Sequence, residues 1–174
     1  TSIVIDPHEI ANVLGDKGIK LIMDLAKDTP FDYYFMLPSC VPATYFETSG
    51  AILESSDLHP LYNEPNVLGL AEVMNYPEVI NCSDDMINKL WDAKSRGLVI
   101  DGHCAGFTND MLNVYSTANI STDHESHLAQ EVIEKLRRGM YVHLREGSVA
   151  KNLKELIKSA SISNSRRICF LYRW

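Results

Sequence analysis

The chain has 174 residues, about the length of one domain, and 45% of them are hydrophobic, enough for a sizeable core. Lys and Arg number 16 against 23 Asp and Glu, a formal net charge of −7, which argues against broad binding to a phosphate backbone. The apolar runs fall short of the ~20 residues a membrane-spanning helix needs, and 22% charged residues without a low-complexity tract argue against disorder.

Ile3–Asp6 reads as a short strand. A helix should follow over Gly18–Lys27, with Asp16 as its cap. After the breakers Thr29-Pro30, Tyr33–Leu37 is a second strand, and Pro38–Gly50 a long loop holding Ser39 and Thr44. Val67–Val73 is a third strand. Ser83 is placed to cap a helix reaching Arg96, with Ile87, Leu90, Trp91 and Ala93 on one face. The alternation continues with strand Leu98–Asp101, helix Asn109–Thr117, strand Ile120–Asp123 and helix His127–Arg138, whose Leu128, Val132, Ile133 and Leu136 have helical spacing. Strand Tyr141–Leu144, helix Val149–Lys158, a polar loop Ser159–Ser165 and strand Arg167–Phe170 complete the chain.

About seven strands alternating with helices define an α/β protein with a parallel sheet. An open doubly wound sheet and a (β/α)8 barrel both fit that alternation. The chain has no Gly-rich phosphate loop of either common form, which the open sheet would favour. Ionisable residues instead gather at strand ends: Asp6-Pro7-His8-Glu9, Glu72, Asp101-Gly102-His103, Asp123-His124-Glu125 and Arg145-Glu146. In a barrel those ends converge on one mouth, where active sites lie. One carboxylate and two imidazoles would then meet, a donor set suited to Zn, Mn or Fe. His59 reads as a surface residue, His127 as a helix start and His143 as a strand residue. Cysteines 40, 82, 104 and 169 form no C-x-x-C pair and read as reduced thiols of a cytosolic protein.

Several strings in order along the chain carry a family likeness. They are Asp6-Pro7-His8-Glu9-Ile10-Ala11-Asn12-Val13, Met36-Leu37-Pro38-Ser39-Cys40-Val41-Pro42-Ala43-Thr44, Gly69-Leu70-Ala71-Glu72-Val73-Met74-Asn75, Asp101-Gly102-His103, Asp123-His124-Glu125, Arg138-Gly139-Met140-Tyr141 and Arg145-Glu146-Gly147-Ser148. Together they resemble the bacterial adenine deaminases of the metal-dependent amidohydrolase superfamily, over nearly the whole chain. The resemblance implies an incomplete (β/α)8, TIM-like barrel and hydrolytic deamination of adenine to hypoxanthine and ammonia, a step of purine salvage. It implies a divalent metal, Mn or Fe with Zn as a third choice, at two sites in the complete enzyme. Glu72 matches the carboxylate that bridges the metals, and His103 and His124 match imidazole ligands, so these three are the expected catalytic and metal-binding residues. Asp6, His8 and Glu9 match a segment at the mouth, and Ser39 with the loop to Thr44 matches a loop that contacts the purine. The implied partner is the small molecule adenine, with no nucleic acid and no membrane, in a cytoplasmic homo-oligomer when complete.

The chain also departs from the family pattern. It holds no His-x-His pair, and no Asp follows Phe170, where the resemblance expects the first metal's ligands and a proton-shuttling Asp. Residues 1–174 are therefore expected to be an internal piece of the barrel domain, lacking the first strand and the C-terminal part, poorly active and with an unpaired sheet edge. One spelling of Leu171-Tyr172-Arg173-Trp174, TTG TAC AGA TGG, reads Cys-Thr-Asp-Gly once its first T is removed, so a shifted reading frame after Phe170 is expected. The competing readings are an amidohydrolase acting on another amine or cyclic amide, and a non-catalytic remnant.

Overall fold

The computed structural model describes residues 1–173. Trp174, the last of the four residues read as a shifted frame, lies outside the described residues. The chain divides into two compact units, Thr1–Ile100 and a second from Asp101 onward.

The first unit opens with β1 (Ser2–Ile5), α1 (His8–Leu14), α2 (Asp16–Ala26) and β2 (Asp32–Pro38). It continues with α3 (Ser55–Leu58), β3 (Val67–Val73), α4 (Tyr76–Ile80) and α5 (Asp84–Ser95). β1 pairs with β2 and β2 with β3, both in parallel, with Ile5 opposite Phe35 and Leu37 opposite Leu70. β3 is buried along almost its whole length, as expected of a parallel strand covered on both faces. Its Gly69 is required: a Cβ there would stand 1.8 Å from the Val99 carbonyl oxygen.

The helices after β1 differ from the single one expected. Gly15 adopts φ 63 and separates α1 from α2, a left-handed backbone that favours glycine. Asp16 is therefore the first residue of α2 and not its cap, and its carboxylate accepts instead from Lys20 Nζ at 2.8 Å. In α5, Ser83 holds the cap position without a side-chain cap bond, and the buried face is Met86, Lys89, Leu90 and Ala93. Ile87 and Trp91, expected inward, are exposed. The seam runs at i, i+3, i+4 and i+7 from Met86, and a buried lysine takes a place an apolar count had passed over.

The boundary falls inside β4 (Val99–Gly102). The second unit then has α6 (Asn109–Thr117), β5 (Thr122–Asp123), α7 (Ala129–Arg137), β6 (Tyr141–Gly147), α8 (Leu153–Leu156) and β7 (Ile168–Arg173). Asp101 pairs with Thr122, Asp123 with Val142 and Val142 with Ile168, all in parallel ladders. Val132, Val142, Leu144 and Leu156 form a buried cluster, with Leu136, Leu153 and Ile168 packed against it. β5 is shorter than the expected Ile120–Asp123, and the expected helix Val149–Lys158 contracts to α8 and a 3-10 turn, Ile157–Ser159. The expected helix His127–Arg138 starts later, at Ala129.

Seven strands alternating with helices, parallel in each of these pairs, are consistent with an incomplete TIM barrel. Among the described residues, no helix is long and apolar enough to cross a membrane.

Candidate metal centre

In the first unit, three donors converge from β1, α1 and β3. Asp6 directly follows β1, His8 begins α1, and Glu72 is the penultimate residue of β3. One ligand atom from each lies within 4.8 Å of the others. Glu72 is buried and has φ 34, uncommon for a residue with a Cβ. Such strain costs on the order of 1–3 kcal/mol and concentrates at functional sites. Ser39 secures this strand end: its Oγ donates to the Glu72 carbonyl at 2.8 Å, and its N–H donates to the Ala71 carbonyl at 3.3 Å.

His8 Nδ1 lies 3.1 Å from Asp6 Oδ2, and its Nε2 lies 3.3 Å from Glu9 Oε1 on an exposed side chain. Burial pushes the Asp6 carboxyl up, against the pull of His8. The hydrogen bond to Asp6 holds His8 above its usual value, with burial opposing. Among the described residues, Asp6 Oδ1 is buried without a hydrogen-bond partner, a costly state for an oxygen that no cation or donor satisfies.

Beside Ser39 is a cavity of about 460 Å³, lined in part by Cys40, Thr44, Tyr45, Glu78 and Lys89. Buried Lys89 closes one side, donating to the Ser39 carbonyl at 3.1 Å and the Leu53 carbonyl at 2.7 Å, and pairing with Asp85 at 2.7 Å.

In the second unit, His103 follows β4 and His124 follows β5. Their rings stand edge to face, with centroids 5.4 Å apart. His124 Nδ1 lies 2.9 Å from Asp101 Oδ2, and Thr122 Oγ1 donates to the other oxygen of Asp101. The His103 backbone N–H donates to Tyr115 Oη at 2.9 Å.

Around this pair the backbone is fixed by buried charge. Asp123 accepts from the Cys104 N–H at 2.8 Å, the Cys104 thiol at 3.0 Å, the Glu125 N–H at 3.0 Å and Lys135 Nζ. Lys135 also donates to the Glu125 carbonyl at 2.9 Å and Ser126 Oγ at 2.8 Å. Burial pushes the Asp123 carboxyl up, but the Lys135 ammonium and the Cys104 bonds outweigh it and hold the group below its ordinary value. Burial raises the Cys104 thiol. Arg145 forms a buried pair with Glu125.

These donor sets fit a divalent metal. Asp6, His8 and Glu72 offer two carboxylates and an imidazole, and His103 and His124 offer two adjacent imidazoles. Oxygen and imidazole nitrogen suit Mn, Fe and Zn.

Of the residues singled out from the sequence, Asp6, His8, Ser39 and Glu72 are brought together in the first unit, with Glu9 at their exposed margin. His103 and His124 are brought together in the second. His59 is exposed and lies 2.8 Å from Asp92, and His127 is exposed. The sequence alone assigns no role to Asp101, Asp123, Lys135 or Lys89. Asp101 carried a signal, as one of the ionisable residues gathered at strand ends. The lysines carried none, since a lysine on an amphipathic helix reads as solvated.

The acid–imidazole clusters at the ends of parallel strands are candidate metal-binding donor sets, and residues 1–171 match the model of the amidohydrolase family. The chain belongs to that family. It is similar to the adenine deaminases of Bacillus pumilus (54% identical), Bacillus subtilis (51%) and Clostridium acetobutylicum (51%), in each case over 98% of this chain. The chain spans about 30% of the length of these curated relatives.

Proposed function

We propose that residues 1–174 are part of one barrel domain of an adenine deaminase, which hydrolyses adenine to hypoxanthine and ammonia. The observation that carries this reading is the 51–54% identity to adenine deaminases across nearly all of the chain, joined to a donor set of carboxylates and imidazoles at strand ends. In the reaction a water oxygen bonds to C6 of the purine, the C6–N bond breaks, and the amine leaves as ammonia. A divalent metal, Mn or Fe in preference to Zn and at two sites in the complete enzyme, supplies Lewis acidity and acidifies water toward neutral pH when bound.

In this reading Glu72, His103 and His124 are the metal ligands and the catalytic core. Asp6, His8 and Glu9 border the substrate, with the half-buried Asp6–His8 pair beside it. Ser39 locks the backbone at Glu72 and, with the loop to Thr44, lines the cavity where the purine is admitted. The acidic charge supports a small-molecule substrate over nucleic acid, and four free cysteines support a cytoplasmic setting. Purine salvage and a homo-oligomeric complete enzyme belong to the same proposal.

The test is hypoxanthine formation by this chain joined to the flanking segments of the Bacillus subtilis relative, with Mn²⁺ supplied. The joined protein is expected to deaminate adenine, and the 174-residue chain alone to show little activity, because it contains no His-x-His pair. Glu72→Gln in the joined protein is expected to remove the activity. Turnover of a hydantoin or dihydropyrimidine in place of adenine would overturn the substrate assignment, and a joined protein inert toward all three would overturn the enzyme reading.

A further inference from the structure

We infer that Asp101 is a positioning residue for His124, fixing the imidazole in the tautomer that carries its proton on Nδ1 and turning the Nε2 lone pair toward the metal. The inference rests on the proposed ligand role of His124 and goes beyond it, because Asp101 itself is given no contact with metal or substrate.

Three observations in the second unit carry it. The first is the bond itself. Asp101 Oδ2 and His124 Nδ1 are 2.9 Å apart, with both side chains largely buried. A carboxylate only accepts, so the ring nitrogen facing it must bear the proton. The lone pair then sits on Nε2, the other ring nitrogen, and a carboxylate behind a ligating imidazole also raises its basicity.

The second is that Asp101 is itself held. Thr122 Oγ1 donates to its other oxygen, and the Asp101–Thr122 register pair places these residues side by side on β4 and β5. Both carboxylate oxygens thus have assigned partners, and the plane of the group is set before any ligand arrives.

The third is the rigidity of the backbone on either side. Asp123 ties the Cys104 amide to the Glu125 amide, and so bridges the segments that carry His103 and His124. Lys135 fastens that bridge through Asp123, the Glu125 carbonyl and Ser126. Gly102 permits close packing next to Asp101, since a Cβ there would stand 2.7 Å from the Tyr115 ring and 2.9 Å from Ile120. With the main chain fixed, the remaining freedom of His124 is the rotation and tautomer of its ring, and Asp101 sets both.

The test uses the 174-residue chain labelled with ¹⁵N-histidine, and Zn²⁺ as a diamagnetic probe. Long-range ¹H–¹⁵N spectra without metal are expected to show His124 as the Nδ1–H tautomer. In Asp101→Asn and Asp101→Ala, with circular dichroism melts reporting the fold, the tautomer is expected to become mixed or to switch to Nε2–H. Zn²⁺ affinity is expected to fall by about 10–100-fold, the usual cost of losing such a partner. An Nε2–H tautomer in the unsubstituted chain, or variants that keep both tautomer and affinity, would overturn the inference. The two readings separate cleanly. An unsubstituted chain that shows the Nδ1–H tautomer but binds no Zn²⁺ overturns the metal-ligand reading beneath the inference. One that binds Zn²⁺ with an affinity indifferent to Asp101 overturns the inference alone.

Discussion

Two buried lysines organise the polar interior, one in each unit. Lys135 and Asp123 are essentially inaccessible to solvent, and removing one partner of such a pair leaves an uncompensated buried charge. Lys135→Met is therefore predicted to lose about 3–5 kcal/mol of stability, read as a shift in the urea unfolding midpoint; a loss under 1 kcal/mol would show that the pair is not the brace described. Lys89 is matched by Asp85. Burial pushes the Asp85 carboxyl up, but the bonds from Lys89 and the Ser55 amide outweigh it and hold the group below its ordinary 3.8. A depressed folded value stabilises fully above about pH 3.8 and less as pH falls through the folded value. Unfolding midpoints measured from pH 2 to 7 are thus expected to drop at the acid end, and Asp85→Asn is expected to lower the neutral plateau and flatten that drop. An unchanged acid limb in the variant would contradict the assignment.

At the scale of elements, close packing between strands sets what the sequence tolerates. Gly69→Ala would press a methyl against the Val99 carbonyl, and overpacking of this kind costs about 1–3 kcal/mol or more. The variant is expected to have a lower melting temperature than the parent, and an equal one would contradict the close approach. The same strand was fully legible in the sequence: Val67–Val73 is a short apolar run rich in small residues, and β3 has those bounds. Asn109–Thr117 was legible too, and α6 has those bounds, with the Thr108 hydroxyl accepting from the Met111 amide at its start. α1 was not, since its seven residues end at a glycine whose positive φ belongs to the tertiary packing around Ala51. α8 was overextended, because an amphipathic stretch does not reveal where tertiary packing replaces its first turn with a bridge between Glu146 and Lys151. The strand-end donors were visible as residue types, and their closeness within each unit follows from parallel pairing. The support beneath them was not visible: the partner of a buried lysine is chosen in three dimensions.

The amidohydrolase match spans residues 1–171, and the proposed chemistry rests on carboxylate and imidazole donors whose strand ends are held by hydrogen bonds from Ser39 and to Asp101. The sequence contains no His-x-His pair, so this chain by itself is expected to hold one metal ion and not two. The most direct measurement is equilibrium binding of Mn²⁺ to the purified 174-residue chain and to its Glu72→Gln variant, with metal content read by mass spectrometry. The account predicts about one Mn²⁺ per chain, lost or weakened at least tenfold by the substitution. A folded chain that binds no Mn²⁺, or binds it equally well without the Glu72 carboxylate, would contradict it.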